Sequence, residues 1–234
     1  MGYDRYTPER RGRPPTVILA HGFQGNRAAM ANWASHMASW GLEVITPDLC
    51  RATIFDADHA ANAADLVALS VQLSVEAPMY AGYSAGGLAA VLAAAQDGEA
   101  TALLGLDMVD SDGLGLAAAP AIVAPALDLT GEPSMCNENN NGHAVFDATA
   151  DPRVLAVLSA DHCDFQNPAD ALCGGLCGAS PQPVDDGDIA STVIGLSTAF
   201  LLWKSGLDTT GQQWSTAGQH WYGVLSDAGF IGEP

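Results

Sequence analysis

Short runs of consecutive apolar residues alternate along the chain with longer segments in which apolar residues recur every three or four positions. Continuous apolar runs are typical of strands buried on both faces of a parallel sheet, and the longer period is typical of helices that cover such a sheet. The predicted strands are residues 15–20, 42–49, 78–83, 101–106, 125–129 and 153–159. The predicted helices are residues 27–40, 56–73, 85–96 and 188–204, with a final amphipathic segment around 212–225. The alternation predicts an α/β fold built from parallel βαβ units.

The chain of 234 residues is predicted to form a single domain, residues 1–234. Neither a linker rich in Gly, Ser or Pro nor a repeat of about 20 to 50 residues divides it. Residues 1–14 are polar and rich in arginine, and they are interpreted as an edge strand or an irregular lead-in to the first buried strand.

The chain is strongly acidic: 27 acidic side chains oppose eight basic ones, and the net charge is −19. Nucleic acids and anionic membranes require basic patches on their partners, so both are disfavoured as ligands. No apolar run reaches the roughly 18 residues that a membrane-spanning helix needs. We expect a monomer.

Four of the five cysteines lie in a loop-rich stretch in the second half of the chain. This clustering predicts one or two disulfides, and therefore a secreted or periplasmic protein whose leader is not part of this sequence. The spacing does not determine which cysteines pair. Cys173 and Cys177 are also spaced like zinc ligands, but no second pair accompanies them and no metal site is predicted. The five cysteines are Cys50, Cys136, Cys163, Cys173 and Cys177.

Ser84 is the candidate nucleophile, because it lies where a predicted strand ends and a predicted helix begins. Residues 82–86 read Gly-Tyr-Ser-Ala-Gly, a Gly-x-Ser-x-Gly pattern. In this pattern the serine sits on a sharp strand-to-helix turn with its hydroxyl exposed, and the glycines allow the strand and the helix to approach closely. The turn also places the serine at a helix N-terminus, where unpaired N–H groups favour negative charge.

From about residue 15 onward, the Gly-x-Ser-x-Gly turn and the alternating strands and helices resemble the α/β-hydrolase superfamily. Within it, the small size is similar to that of compact serine esterases of the dienelactone-hydrolase-like, chlorophyllase-like and cutinase-like types. The resemblance implies a mostly parallel central sheet with helices on both faces and no large lid. It also implies catalysis by a Ser-acid-His triad that follows this order along the chain.

His162 is the candidate base. His143, His162 and His220 follow the nucleophile in the chain, and among them His162 comes directly after a predicted strand. The segment Ser-Ala-Asp-His-Cys-Asp-Phe at residues 159–165 is similar to the histidine loop of these esterases. His143 lies in an asparagine-rich loop and His220 in the terminal amphipathic segment, so both are interpreted as structural or surface residues.

Asp107 is the candidate acid, because it follows the buried run 101–106 in a Gly-Leu-Asp stretch. This stretch is similar to the one that carries the acid in pancreatic-lipase-like and chlorophyllase-like enzymes. Asp110 and Glu132 remain alternatives, since both lie in loops that follow predicted strands. A carboxylate after a strand is also a common turn former.

Two backbone amides are predicted to bind the oxyanion that forms on the substrate. One is the amide of Ala85, which follows the nucleophile. The second is the amide of Phe23, because residues 21–23 match the His-Gly-x stretch that supplies it in the resembling enzymes, with Gln24 as the alternative. His21 is interpreted as a residue that braces this loop. The chemistry requires no metal or organic cofactor.

Four apolar side chains adjoin the candidate catalytic positions and are predicted to line a shallow, open substrate platform: Phe23, Tyr83, Met108 and Phe165. We therefore expect a serine carboxylic-ester hydrolase for short-chain or polymeric esters, including polyesters of the poly(ethylene terephthalate) type. An esterase for small esters of the chlorophyllase or dienelactone-hydrolase type, or an acyltransferase, is the alternative. A binding protein on a hydrolase scaffold is the alternative outside enzymes.

Overall fold

The computed structural model describes residues 1–10, 12–168, 171–178 and 184–234, without the side chains of residues 171 and 172. The strands in these ranges are β1 (Tyr3–Tyr6), β2 (Thr16–Ala20), β3 (Glu43–Pro47), β4 (Ala52–Thr53), β5 (Asp56–Ala57), β6 (Met79–Tyr83), β7 (Ala102–Leu106), β8 (Pro125–Thr130), β9 (Asp151–Val157) and β10 (Ile231–Gly232). The α-helices are α1 (Ala31–Ser39), α2 (His59–Gln72), α3 (Ala85–Gln96), α4 (Leu114–Ala118), α5 (Gly142–Asp147), α6 (Ala171–Cys177), α7 (Asp186–Lys204), α8 (Gln212–Ser215) and α9 (His220–Asp227).

One mixed sheet of eight strands, in the order β1-β3-β2-β6-β7-β8-β9-β10, forms the centre of the molecule. The six inner strands run parallel, and β1 and β10 pair in antiparallel orientation at the two edges. Strands β2, β3, β6 and β7 are buried along their whole length, as their uninterrupted apolar runs predicted. The prediction of an α/β fold with a mostly parallel sheet is confirmed.

Helices cover both faces of the sheet. Alternate residues of one strand belong to different cores, because successive side chains point to opposite faces. On β2, Val17 packs with α1 and α7 in one apolar cluster, and Ile18 packs with α2 and α3 in the other. All parallel strands end at the same edge of the sheet, so the loops after β2, β6, β7 and β9 lie at that edge.

The N-terminal stretch contains a short edge strand, β1. Strand β1 pairs with β3, and Arg5 donates bidentate hydrogen bonds of 2.8–3.0 Å to Glu43. Charged side chains on an edge strand disfavour pairing with another chain. Within the residues that the structure describes, no helix is long and apolar enough to cross a membrane.

Element boundaries differ from the predictions where side chains cap or interrupt a helix. The predicted helix 56–73 begins at His59, because Asp58 caps it by accepting from the Ala61 amide at 2.9 Å. The two residues before this cap form β5 instead. The predicted final segment 212–225 is divided into α8 and α9 around Gly218, which has φ of +79°. A positive φ cannot continue a right-handed helix.

Two disulfides are formed, Cys136–Cys177 and Cys163–Cys173. The prediction of one or two disulfides is therefore confirmed, and Cys50 is a free, exposed thiol. Cys173 and Cys177 bond to different partners, so their zinc-like spacing serves two separate cross-links. Both bridges end on α6, a short helix that the hydrophobic pattern did not predict.

Candidate active site

Ser84 occupies the turn between β6 and α3 with φ of +53° and ψ of −122°. Residues other than glycine rarely adopt this backbone conformation. It persists only where the surrounding structure enforces it. Here β6 and α3 approach so closely that a Cβ on Gly82 would overlap the backbone of Gly86. A Cβ on Gly86 would overlap the carbonyl oxygen of His21. The two glycines of the Gly-x-Ser-x-Gly pattern are thus required by close backbone approach.

Ser84, His162 and Asp107 form a continuous chain of hydrogen bonds. The Ser84 Oγ lies 3.0 Å from His162 Nε2, and His162 Nδ1 lies 2.6 Å from Asp107 Oδ2. A carboxylate can only accept, so Nδ1 carries a proton, and in the neutral imidazole Nε2 then has the lone pair that accepts from the serine hydroxyl. All three side chains are buried. This arrangement allows the imidazole to remove the proton of Ser84.

The loops that carry Asp107 and His162 are held by local hydrogen bonds. Asp107 directly follows β7 with φ of +48°, and its Oδ1 accepts from the Gly131 amide at 2.9 Å. His162 begins a turn of 3₁₀ helix, where Asp161 and Asp164 form a reciprocal capping box. Burial raises the pKa of Asp164 to about 6. The Tyr83 ring packs against the His162 ring with centroids 4.9 Å apart.

The two other candidate acids have different partners. The Asp110 carboxylate accepts from the Gly115 and Leu116 amides at 2.7 and 3.2 Å, at the beginning of α4. The Glu132 carboxylate accepts from the Ser159 amide at 3.0 Å. Of the three candidates, the structure brings Asp107 to His162.

The amides of Phe23 and Ala85 donate to no other group within the described part of the chain. Ala85 is the first residue of α3, where amides have no partner in the helix. The alternative donor is occupied, because the Gln24 amide donates to the Ala52 carbonyl at 2.7 Å. The loop after β2 lies against Ser84, since a Cβ on Gly22 would be 3.3 Å from the Ser84 Cβ.

The remaining histidines lie outside this chain of hydrogen bonds. His21 Nδ1 donates to the Gly22 carbonyl at 2.7 Å, and its Nε2 accepts from the Leu49 amide at 2.9 Å. His21 therefore braces the loop after β2, and burial lowers its pKa. His143 Nε2 lies 3.1 Å from Thr130 Oγ1, and His220 packs against the exposed Trp221 ring.

A cleft of about 200 Å³ opens above Ser84. Two of the four predicted platform residues, Phe23 and Tyr83, line it. Met108 and Phe165 do not, and the prediction for them is corrected: their side chains are 1% and 0% exposed. Each belongs to one of the two cores, Met108 packing beneath α3 and Phe165 among residues of α1 and α7. Burial of an apolar side chain in such a core stabilises the folded protein, and exposure of the same side chain to water does not.

One wall of the cleft was missed from the sequence. It is formed by α6 and its two disulfides, and Leu176 on this helix is 74% exposed at the rim. Gln166 is the other lining residue that the sequence did not indicate. The clustering of the cysteines was a signal for this wall, but a helix of seven residues cross-linked at two positions has no periodic pattern that would reveal it.

A second carboxyl group, that of Asp128, lies near Asp107. Asp128 on β8 is fully buried, and neither of its oxygens has a hydrogen-bond partner of good geometry among the described residues. Burial and the nearby charge of Asp107 raise the pKa of Asp128 well above its usual value of 3.8, and the backbone N–H of Met108 offsets this only in part. The environment of Asp128 therefore favours its protonated, neutral form.

We expect the melting temperature of Asp128→Asn, relative to that of wild type, to increase as the pH rises. The unfolded chain releases the Asp128 proton near pH 3.8, and the folded chain releases it only at a higher pH. Folding stability is therefore lost as the pH rises above that value, and a neutral amide removes this loss. Thermal melts between about pH 4 and pH 8 measure the effect. A difference between variant and wild type that does not change with pH would contradict a raised pKa of Asp128.

Comparison with known proteins adds no family to this description. No family model matches the sequence, and no curated protein matches it. The chemical interpretation of the site therefore depends on the contacts of Ser84, His162 and Asp107 and on the two available amides.

Proposed function

We propose that the chain is a serine carboxylic-ester hydrolase with an α/β-hydrolase fold. The observation that carries the proposal is the hydrogen-bonded chain Ser84–His162–Asp107 beside two available backbone amides. Nucleophile, base, acid and oxyanion donors are the parts that acyl transfer requires. A binding protein would not need a serine in a strained turn that also hydrogen-bonds a correctly oriented imidazole.

The reaction proceeds through an acyl-enzyme. His162 Nε2 takes the proton of Ser84 as the serine oxygen attacks the ester carbonyl carbon, and the amides of Phe23 and Ala85 bind the oxyanion. His162 then donates the proton to the leaving alcohol. Water, activated by His162 in the same way, releases the carboxylic acid and regenerates Ser84. Asp107 accepts the Nδ1 proton throughout and stabilises the charged imidazole.

The size of the cleft favours a small acyl group. Its volume of about 200 Å³ is below the roughly 300 Å³ at which drug-sized pockets begin. The exposed side chains of Phe23 and Leu176 make an apolar rim that would contact the remainder of a longer substrate. Short-chain esters, or a single ester unit of a polymer lying across the rim, fit this shape. The small volume is also what an esterase for small soluble esters would have.

The two disulfides support a location outside the reducing cytoplasm. We propose that the protein is exported, to the periplasm or the medium. The net charge of −19 would repel a carboxylate product once it leaves the cleft, and this effect weakens with salt.

Wild-type protein treated with a fluorophosphonate is expected to carry one covalent adduct on Ser84, because this reagent traps serines that are activated by a base. Intact-mass measurement followed by peptide mapping identifies the site. Heat-denatured protein is the control, since it retains the serine but lacks the hydrogen-bonded chain. A folded protein that forms no adduct would favour the binding-protein alternative.

The substrate class is tested with p-nitrophenyl butyrate, p-nitrophenyl palmitate and an amorphous aromatic polyester film. We expect kcat/KM for butyrate to exceed that for palmitate by at least about tenfold, because several methylenes of the longer chain would not be enclosed by the cleft. Soluble product released from the film would support a polyester hydrolase. Butyrate hydrolysis without film release would identify an esterase for small esters, and ester exchange with added alcohol would identify an acyltransferase.

A further inference from the structure

Asn137 lies directly beside the candidate acid, in the loop between β8 and α5. Its side chain is 0% exposed, and its Nδ2 lies 3.2 Å from Asp107 Oδ2 and 3.4 Å from Asp107 Oδ1. The second hydrogen of the same nitrogen points to the Glu132 carbonyl at 2.9 Å. Apart from His162, Asn137 is the one side chain in the described ranges that donates to Asp107.

The orientation of the Asn137 amide is determined by its surroundings. Its Oδ1 accepts from the Ser134 amide at 2.8 Å, the Ser134 hydroxyl at 3.3 Å and the Asn140 amide at 3.3 Å. A rotated amide would place its NH₂ against these donors and its oxygen against the Asp107 carboxylate. The hydrogen-bond network therefore fixes the nitrogen on the side of Asp107.

The Asn137 contact limits rotation of the Asp107 carboxylate. Oδ2 accepts from His162 and Oδ1 from the Gly131 amide, and the Asn137 nitrogen spans both oxygens. Without Asn137, only the Gly131 amide would hold Oδ1. The carboxylate could then turn about its Cβ–Cγ bond, which is a soft torsion. A donor that contacts both oxygens keeps Oδ2 directed at the imidazole.

The loop that carries Asn137 is itself cross-linked. Cys136 precedes Asn137 and bonds to Cys177 at the end of α6, 41 residues later. The same helix bonds through Cys173 to Cys163, which follows His162. One short helix is thus covalently joined next to the base and next to the residue that contacts the acid.

We infer that Asn137 is a positioning residue for the reaction of Ser84 and that the Cys136–Cys177 disulfide holds it in place. The inference rests on the proposed function, because it concerns the acid of that reaction. Asn137 does not line the cleft, so its contribution is to the chemical step and not to substrate binding.

The test is to measure kcat and KM of Asn137→Ala with p-nitrophenyl butyrate. We expect kcat to fall about tenfold, the size of coupling common within one buried hydrogen-bond network, and KM to change less than about twofold. Asn137→Asp is the second variant, since it keeps the shape and the acceptor for Ser134 and Asn140 but removes the donor. It should lose kcat to a similar or greater extent.

Asn141→Ala is the matched control. Asn141 lies in the same loop and bonds the backbone of Asp110 at 2.8 and 2.9 Å, but it does not contact Asp107. We expect its kcat to stay within about twofold of wild type. An equal loss of kcat in Asn141→Ala, or an Asn137→Asp protein with unchanged kcat, would overturn the inference. Wild-type protein without Ser84-dependent turnover would instead overturn the proposed function.

The role of the disulfide is tested by a double-mutant cycle. Replacement of Cys136 and Cys177 by serine should lower kcat several-fold in the wild-type background, because the loop around Asn137 loses its anchor. In the Asn137→Ala background the same change should lower kcat by less than about twofold, since two changes that act through one contact are not additive. Equal fractional losses in both backgrounds would show that the disulfide does not act through Asn137.

Discussion

Ser84→Ala is expected to lower kcat/KM for p-nitrophenyl butyrate by about 10⁵- to 10⁶-fold, the loss that removal of a catalytic serine causes in serine hydrolases. The reason is that His162 would have no hydroxyl to deprotonate and no acyl-enzyme could form. The turn itself should survive, because alanine replaces only the hydroxyl and Gly82 and Gly86 still permit the close approach of β6 and α3. Steady-state kinetics at pH 8, with the melting temperature as a check of folding, measure the change.

Ser226→Ala is the control for the loss of a serine hydroxyl, since Ser226 is exposed on α9. It should retain wild-type activity and melting temperature. Ser84→Ala should also fail to react with the fluorophosphonate. Turnover of Ser84→Ala within about tenfold of wild type would mean that another group attacks the ester, and the proposed mechanism would be wrong.

Asp107→Asn is expected to lower kcat by about 10⁴-fold, the loss seen when the acid of such a triad becomes an amide. The surroundings predict how the amide would turn. The Gly131 amide donates at the Oδ1 position and Asn137 contacts both positions, so the new amide oxygen would take the Oδ1 position to accept from Gly131. Its NH₂ would then face His162 Nδ1 and force the proton onto Nε2. An imidazole in that tautomer cannot accept the proton of Ser84.

Asp110→Asn and Glu132→Gln are the matched controls, because they remove the charge of the two alternative acids. Each carboxylate accepts from backbone amides away from His162, and the amide side chains keep one acceptor oxygen. We expect kcat within about threefold of wild type for both. A loss near 10⁴-fold in either control, with Asp107→Asn active, would assign the acid to that residue instead.

The local sequence was sufficient for the elements that depend on nearby residues. The apolar runs that became β2, β3, β6 and β7 are buried on both faces, and burial of such runs requires little more than a parallel sheet. The turn at Ser84 was also predictable from its pentapeptide, although only Gly82 is required by contacts within it, since Gly86 is required by the close approach of His21. The ends of helices were predicted less accurately. Helix α2 begins three residues later than predicted, and the final helical segment is divided at Gly218.

Contacts between distant residues were decided by the tertiary structure alone. Three carboxylates follow strands in the sequence, but the twist and order of the sheet bring Asp107 to His162 across 55 positions and leave Asp110 and Glu132 bonded to backbone amides. Met108 and Phe165 are close to the site in sequence. Their side chains are nevertheless buried in the two cores and do not line the cleft.

The sequence by itself therefore determined the α/β class, the strained turn and the presence of disulfides. Their pairing, the α6 wall of the cleft, the raised pKa of Asp128 and the contact of Asn137 with Asp107 depend on chain segments that meet only when the sheet is assembled. Steric limits and hydrophobic periodicity act over a few residues, so their effects can be predicted from the sequence. Hydrogen bonds, burial of charge and cross-links act through space, so the folded structure decides them.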